Sequence, residues 1–242
     1  MMAFKKLMCF FTLLFSLPAL AQTIEKKNEI KLNFSSVAFK GFNVQYERQV
    51  AEKITVALSY GMVPNSSIPY KSYIEKQIFI PDVNIGDFSL GTHIFTPEAR
   101  YYFGEKGAFH GFYLAPYARI GNYKIKGPIA YSNNGRKDYA QFAGRLTTIT
   151  GGIMAGSSWQ LSEKFYIDWW IAGVSFGGES GRLTNTSHLS ESDQASLKRK
   201  IESISLSYTK LTSDVNSNGA IVNTSGSIVG LRGLGINLGI RF

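Results

Sequence analysis

The segment that most constrains the fold is residues 231–242, with the sequence LRGLGINLGIRF. Within it, apolar and small or polar residues alternate strictly, and the apolar set is Leu234, Ile236, Leu238, Ile240 and Phe242. Because successive side chains of a strand point to opposite faces, this period of two predicts a β-strand with one apolar face. The other face carries glycine, asparagine and arginine, so the strand separates an apolar from a polar environment.

This alternation up to an aromatic Phe242 resembles the C-terminal signal of bacterial outer-membrane β-barrels, which the barrel assembly machinery reads. The resemblance implies that the same five apolar residues are an assembly signal. It also implies the barrel assembly machinery as a partner during biogenesis, and the outer membrane as the location.

The first 21 residues have the three parts of a secretory signal peptide. Lys5 and Lys6 form a basic region, Leu7–Leu17 is apolar, and Ala19-Leu20-Ala21 is a small-x-small cleavage site. The apolar run is shorter than the roughly 20 residues of a membrane-spanning helix. We therefore expect residues 1–21 to be a signal peptide for export and residues 22–242 to form one barrel domain.

Composition limits the chemistry of the exported chain. The only cysteine, Cys9, lies in the predicted signal peptide, so neither disulfides nor a cysteine metal site are expected. Loss of Lys5 and Lys6 would lower the formal charge from +9 to +7. The basic residues cluster only at Lys198–Lys200, so nucleic acid is not a predicted partner. The charge is expected to face outer-membrane lipid and lipopolysaccharide.

The same period of two predicts eight strands, at residues 30–35, 42–47, 54–62, 88–103, 112–120, 142–161, 165–172 and 231–242. Pro97 lacks a backbone donor, so we expect a bulge there. Short links at 51–53, 104–110 and 162–164 alternate with long ones at 64–87, 127–139 and 180–228, and only 38–41 departs from this order. The predicted fold is all-β, an eight-stranded antiparallel transmembrane β-barrel with long outside loops.

Charged residues on the polar faces are expected to meet inside this barrel. The predicted interior cluster is Lys31, Glu47, Glu98, Arg100, Arg119, Asp168 and Arg241, accompanied by Asn43, Gln45 and Asn237. Both signs occur, so ion pairs can form and plug the lumen. A narrow proton or ion path through the same groups is the other interpretation.

Aromatic residues near the strand ends suit the girdles of a membrane barrel, and these are Tyr60, Tyr101, Tyr102, Trp159 and Trp169. Alternation alone does not separate a membrane barrel from a soluble lipocalin-like barrel, because the two faces simply invert.

Two central segments carry a second resemblance. The run FTPEARYYFGEKGAFHGFYLAPYARIGNYKI, residues 95–125, and GGIMAGSSWQLSEKFYIDWWIAG, residues 151–173, resemble a family of small Gram-negative outer-membrane barrels catalogued as a domain of unknown function. The closing IVGLRGLGINLGIRF is similar to the last strand of that family. The resemblance implies the barrel and its location, and it brings no catalytic residues.

The last insertion contains two further candidates. Ser190 and Asp193 form a capping box, and apolar residues at helical spacing predict a short helix over 191–208. This loop, 180–228, is a candidate surface for an unidentified partner. His188 with Ser190 and Asp193 is also a conceivable acyl-transfer set, as in barrels that modify lipid A.

The sequence thus predicts an outer-membrane barrel with a structural, adhesive or partner-binding role, without enzyme activity, cofactor or metal. The alternatives are a narrow channel or transport protein, an outer-membrane lipid-modifying enzyme, and a soluble periplasmic lipocalin-like binding protein.

Overall fold

The strands form a closed antiparallel ring. The computed structural model describes residues 26–70, 84–204 and 208–242, so the predicted signal peptide lies outside the described residues. Nine strands are present: β1 Asn28–Asn33, β2 Phe42–Ala51, β3 Ile54–Ser67, β4 Ser89–Tyr102, β5 Gly111–Asn133, β6 Arg136–Gln160, β7 Phe165–Asn185, β8 Thr209–Asn216 and β9 Gly219–Arg241. The helices are α1 Ser35–Ala38, α2 Glu191–Ser203 and a 3₁₀ turn, Ile85–Asp87.

Eight of these strands close the barrel. Strands β1 to β7 pair in sequence order, β7 pairs with β9, and β9 returns to β1. Lys31 lies opposite Gly239 in the closing pair, and Asn28 and Phe242 exchange backbone hydrogen bonds of 3.0 and 2.9 Å. The predicted eight-stranded antiparallel barrel is confirmed. Neither α1 nor α2 has the length and apolar character that a membrane-spanning helix requires.

Two predicted loops are wrong because strands occupy much of them. Residues 127–139 are not a loop: β5 and β6 continue to a two-residue turn at Asn134 and Gly135, with φ of 50° and 80°. Both central residues of that turn have positive φ, which favours the Asn-Gly pair. The predicted loop 180–228 likewise contains the end of β7, helix α2, strand β8 and the start of β9.

These longer strands build a platform on one side of the barrel, beyond the ends of β1–β4. Strand β8 pairs with β9, so the platform sheet has the order β5-β6-β7-β9-β8. Helix α2 contacts β5 and β8, the two edge strands of that sheet. The helix therefore covers both free edges, and its apolar face closes a small hydrophobic core formed by Ile129, Tyr131, Ala140, Phe142, Leu189, Leu197, Ile201, Ala220 and Val222.

The predicted capping box is present at the start of α2. The Ser190 hydroxyl accepts a hydrogen bond of 3.2 Å from the backbone N–H of Asp193. The Asp193 carboxylate accepts from Asn133 Nδ2 at 2.6 Å, which ties the helix to the end of β5. The helix ends at Ser203 rather than at the predicted residue 208, because Ile204 has an extended backbone.

The strand irregularities differ from the predicted one. Strands β4 and β5 keep one register from the Phe95–Ile120 pair to the Glu98–Tyr117 pair, so the bulge predicted at Pro97 is wrong. The β6–β7 register shifts by one residue at Ile171, and opposite it Leu234 of β9 has a φ of 55°. On both β7 and β9 the inward-facing residues therefore change from even-numbered to odd-numbered positions at this point. This change decides which arginine of β9 points into the lumen.

The platform core supplies the first prediction. Leu197→Ala removes a fully buried side chain, and such changes cost about 2–5 kcal/mol. We expect α2 to be cleaved faster in limited proteolysis, while the heat-dependent gel shift of the folded barrel stays at its wild-type temperature. Lys198→Ala, at the exposed neighbouring position, is the matched control. A lowered unfolding temperature of the whole barrel would show that the platform is not a separate packing unit.

Candidate functional site

A network of buried charges crosses the barrel lumen. We call Lys31, Glu47, Glu98, Arg100 and Asp168 the interior charge network; they come from β1, β2, β4 and β7 and are at most 5% exposed. Lys31 Nζ lies 2.6 Å from Glu47 Oε2 and 3.0 Å from Asp168 Oδ2. Arg100 Nη1 lies 2.8 and 2.9 Å from the same two oxygens. Two cations thus bridge two carboxylates across the ring.

The remaining hydrogen-bonding capacity of these carboxylates is met by neutral donors. Thr55 and Tyr102 hydroxyls donate to Glu47 Oε1 at 2.6 and 2.8 Å, and the Tyr113 hydroxyl donates to Asp168 Oδ1 at 2.7 Å. Glu98 Oε1 accepts from the Gln45 amide Nε2 at 3.0 Å. Buried ion pairs offset their desolvation only with such additional hydrogen bonds, so the network is a closed set of mutually dependent contacts.

Tyr102 corrects one prediction. The sequence predicts it in the outer aromatic girdle, but its side chain is fully buried in the lumen and its ring lies 5.1 Å from that of Tyr113. Tyr102 is an even number of positions from Glu98 and Arg100 on the same strand, so the alternation places it on their inner face. Its aromatic character pointed instead to the outer girdle. Glu29 was also missed, although it has the parity of Lys31; it is fully buried, with Oε1 3.9 Å from Lys31 Nζ.

Two predicted interior residues do not join the network. Arg241 stacks on the rings of Tyr166 and Phe109, at 3.7 and 4.2 Å, near the short-link end of the barrel. Arg119 lines a cavity on the other side of the network. Among the described residues, neither arginine forms an ion pair, so both lie on the inner side of the barrel but outside the interior charge network.

Arg232 is a second charged group that the sequence pattern did not place inside the barrel. Its Nη1 pairs with Glu98 Oε2, and its guanidinium lies 4.1 Å from the Trp170 ring. Counting by twos from the end of the chain places Arg232 on the outer face with Leu234 and Ile236. The positive φ of Leu234 reverses that parity and turns Arg232 into the lumen.

The network separates two cavities. One, of about 600 Å³, lies at the short-link end and is lined by residues that include Glu52, His110, Tyr166 and Arg241. The other, of about 320 Å³, lies toward the platform and is lined by residues that include Asn43, Arg119, Trp170 and Arg232. Since the side chains between them have almost no exposed surface, they fill the lumen at this level.

The outer surface of the barrel carries an apolar belt. On the four long strands it runs over residues 112–120, 149–159, 165–176 and 229–240, and its members include Leu114, Ile120, Ile149, Ile153, Trp169, Val174, Phe176, Ile236 and Ile240, each at least 38% exposed. Trp159 and Trp169 are stacked on each other within it. The belt is about 9 to 12 residues tall, which is the length of a transmembrane strand.

The same strands reverse their apolar face above the belt. On β5, Leu114 and Ile120 point outward, whereas Ile129 and Tyr131 point into the platform core. On β6, Ile149 and Ile153 point outward, whereas Phe142 points inward. An apolar exterior around a charged lumen is the opposite of a lipocalin-like barrel, and on β5 and β6 the apolar face changes from the outer to the inner side above the belt.

The conceivable acyl-transfer set is not assembled. Ser190 and Asp193 serve in the helix cap, and hydrogen bonds from Ser190 and Asn133 hold the pKa of Asp193 below its usual range. His188 is exposed and forms no hydrogen bond to either residue in the described part of the chain. Across residues 26–70, 84–204 and 208–242, no three His, Cys, Asp or Glu side chains are grouped to hold a metal ion.

One family model, described as "Protein of unknown function (DUF3575)", matches residues 7–177. The chain belongs to this family. A family of unknown function is what the resemblance of the two central segments predicted. No protein with a curated description matches the sequence.

Three solved barrels are similar to this chain. The N-terminal β-barrel domain of OprF from Pseudomonas aeruginosa is 11% identical, covering 90% of this chain and 98% of its own, with a TM-score of 0.32. Neisserial surface protein A (NspA) is 11% identical, covering 89% and 95%, with a TM-score of 0.32. Acinetobacter baumannii CarO is 14% identical, covering 92% and 100%, with a TM-score of 0.38. The barrel fold itself follows from the strand pairing.

The interior charge network supplies the second prediction. Arg100→Met leaves the carboxylates of Glu47, Glu98 and Asp168 short of a cation, and breaking a buried pair in this way costs about 3–5 kcal/mol. We expect the free energy of unfolding, measured in urea, to fall by this amount. Lys164→Met, in an exposed turn, is the control and should change it little. Adding Asp168→Asn to Arg100→Met should recover part of the loss; a purely additive second loss would contradict charge coupling.

Proposed function

We propose that the protein spans the bacterial outer membrane as a plugged barrel and presents its platform outside the cell in a structural, adhesive or partner-binding role. One observation carries the proposal: strands β5 and β6 are apolar outward along the belt and apolar inward above it. Only closed barrels and helices satisfy their backbone groups in lipid, and the ring is closed. Export by residues 1–21 and assembly through Leu234–Phe242 remain predictions within this proposal.

The platform supports a role outside the membrane. Strands β5 and β6 continue 13 residues beyond the belt, from 120 to 133 and from 149 back to 136, which is a rise of about 33 Å for a tilted strand. The platform is packed rather than loose, because α2 covers both edges of its sheet. A rigid surface at that height is suited to contact another molecule, and Tyr139, 57% exposed beside Lys137, is one apolar contact point on it.

The membrane proposal is tested by a charge placed on the belt. Ile153→Arg puts a guanidinium at the middle of the belt, where such a change costs about 2–4 kcal/mol in a bilayer. Ser180→Arg, on an outward position above the belt, is the matched control. We expect only Ile153→Arg to lower the free energy of unfolding from lipid vesicles. Equal, small effects of both variants would indicate that water surrounds the belt.

A narrow channel is the second candidate, since cavities lie on both sides of the interior charge network. With Lys31, Arg100 and their carboxylates fully buried between the cavities, we expect purified protein in planar bilayers to show no stable current steps. Arg100→Ala, which opens space in that layer, should produce leak events more often than the exposed control Lys164→Ala. Stable, well-resolved steps from the wild-type protein would make the channel the better assignment.

A further inference from the structure

Three basic residues stand side by side on the outer surface just above the apolar belt. Lys124 of β5 lies directly opposite Arg145 of β6, and Arg145 lies directly opposite Arg182 of β7. All three are exposed on the outward face. We call these residues the basic row. Lys126 lies two positions beyond Lys124 on the same face, so it extends the positive charge upward.

In the described part of the barrel, no acidic side chain lies directly beside this charge. Like charges directly opposite each other on neighbouring strands destabilise a sheet. The positions opposite and diagonal to the row on β4, β5, β6, β7 and β9 hold no acidic side chain; they are Ser89, Gly91, His93, Asn122, Ala143, Thr147, Ser180, Thr184, Ile221, Asn223 and Ser225. Among described contacts, Arg182 Nε donates to the neutral Asn223 Oδ1 at 2.9 Å. The side chains of the basic row therefore carry positive charge and N–H donors that can bind an anion.

The height of the row matches the headgroup region of a membrane. Lys124 is four residues beyond Ile120, and Arg145 is four residues before Ile149, the residues at which the apolar belt ends on β5 and β6. Each residue rises about 3.3 Å along a strand, and barrel strands are tilted by about 40°. Four residues therefore place the row about 10 Å above the belt. Lipid headgroups occupy the layer just outside the hydrocarbon core, and long basic side chains can bend toward it.

We propose that the basic row binds the phosphate groups of lipopolysaccharide in the outer leaflet, an inference that rests on the proposed membrane orientation. Guanidinium groups bind phosphate oxygens in a bidentate manner, and a lysine adds a point charge. Neighbouring strands are about 4.8 Å apart, so each adjacent pair of cations can share one phosphate. The lipid then supplies the negative charge that the strands lack, while its acyl chains lie against the belt.

The test compares a triple variant with a charge-matched control. Lys124→Ser, Arg145→Ser and Arg182→Ser together remove the row. Lys106→Ser, Lys137→Ser and Lys164→Ser together remove three exposed positive charges elsewhere. Both proteins and the wild type are refolded in detergent, and binding of a short-chain lipopolysaccharide is followed by native mass spectrometry. The same lipid with its phosphates removed, and inorganic phosphate alone, are the other two probes.

We expect wild type and control to bind the phosphorylated lipid equally, and the row variant to bind it about tenfold more weakly. The dephosphorylated lipid should bind all three proteins as weakly as the row variant binds the phosphorylated one. Equal binding by row variant and wild type would overturn the inference, as would an equal loss in the control. Displacement of the lipid by millimolar inorganic phosphate would also overturn it, because the site would then be one for free phosphate.

The phosphate site and the membrane proposal can each fail without the other. A row variant that still shows the heat-dependent gel shift of a folded barrel and still inserts into vesicles, yet binds lipid normally, removes only the phosphate site. A wild-type protein that is soluble and monomeric without detergent removes the membrane proposal itself.

Discussion

The pairing of the first barrel strand with the last is the constraint on which the rest of the structure depends. Asn28 and Phe242 exchange backbone hydrogen bonds, and β1 lies against β9 from Glu29 to Asn33. This closure leaves no free edge in the barrel. It also brings Lys31 of β1 within reach of Asp168 of β7, 137 positions later in the sequence. Ring closure and lumen chemistry are therefore consequences of one pairing.

The molecule has two packing regimes on the same strands. In the barrel, charges and hydroxyls fill the lumen and apolar side chains face outward. In the platform, apolar side chains such as Phe142 and Leu197 form the interior and the outer face is polar. The outer face is apolar along the barrel and polar along the platform, and the level at which it changes is a boundary on the strands. The basic row lies on the platform side of that boundary, where a headgroup would be met.

The contacts of the interior charge network support the proposed plug over the alternative of a channel. Glu47 accepts from Lys31, Arg100, Thr55 and Tyr102, so both of its oxygens are fully used. A conducting lumen needs groups that can exchange partners with water or ions. The cations outside the network, Arg119 and Arg241, line the cavities on either side of it instead. Association of the platform with a partner requires no opening of this layer.

The sequence by itself determined the barrel class, the belt and most of the lumen charges. A period of two records only the two faces of a strand, and this is enough to place Lys31, Glu47, Glu98, Arg100 and Asp168 inside. It also predicted the α2 cap, because capping depends on local hydrogen bonds. The family match to residues 7–177 assigns no activity.

Only the tertiary structure decided the platform and the position of Arg232. Residues 127–139 contain Asn-Asn-Gly and look like a polar loop, yet Ile129, Tyr131 and Phe142 become buried once α2 lies over them. Arg232 points inward because one extra residue at Ile171 and a positive φ at Leu234 shift parity on two paired strands. The basic row depends on register between three strands. Such relations are non-local, so alternation within any single strand does not contain them.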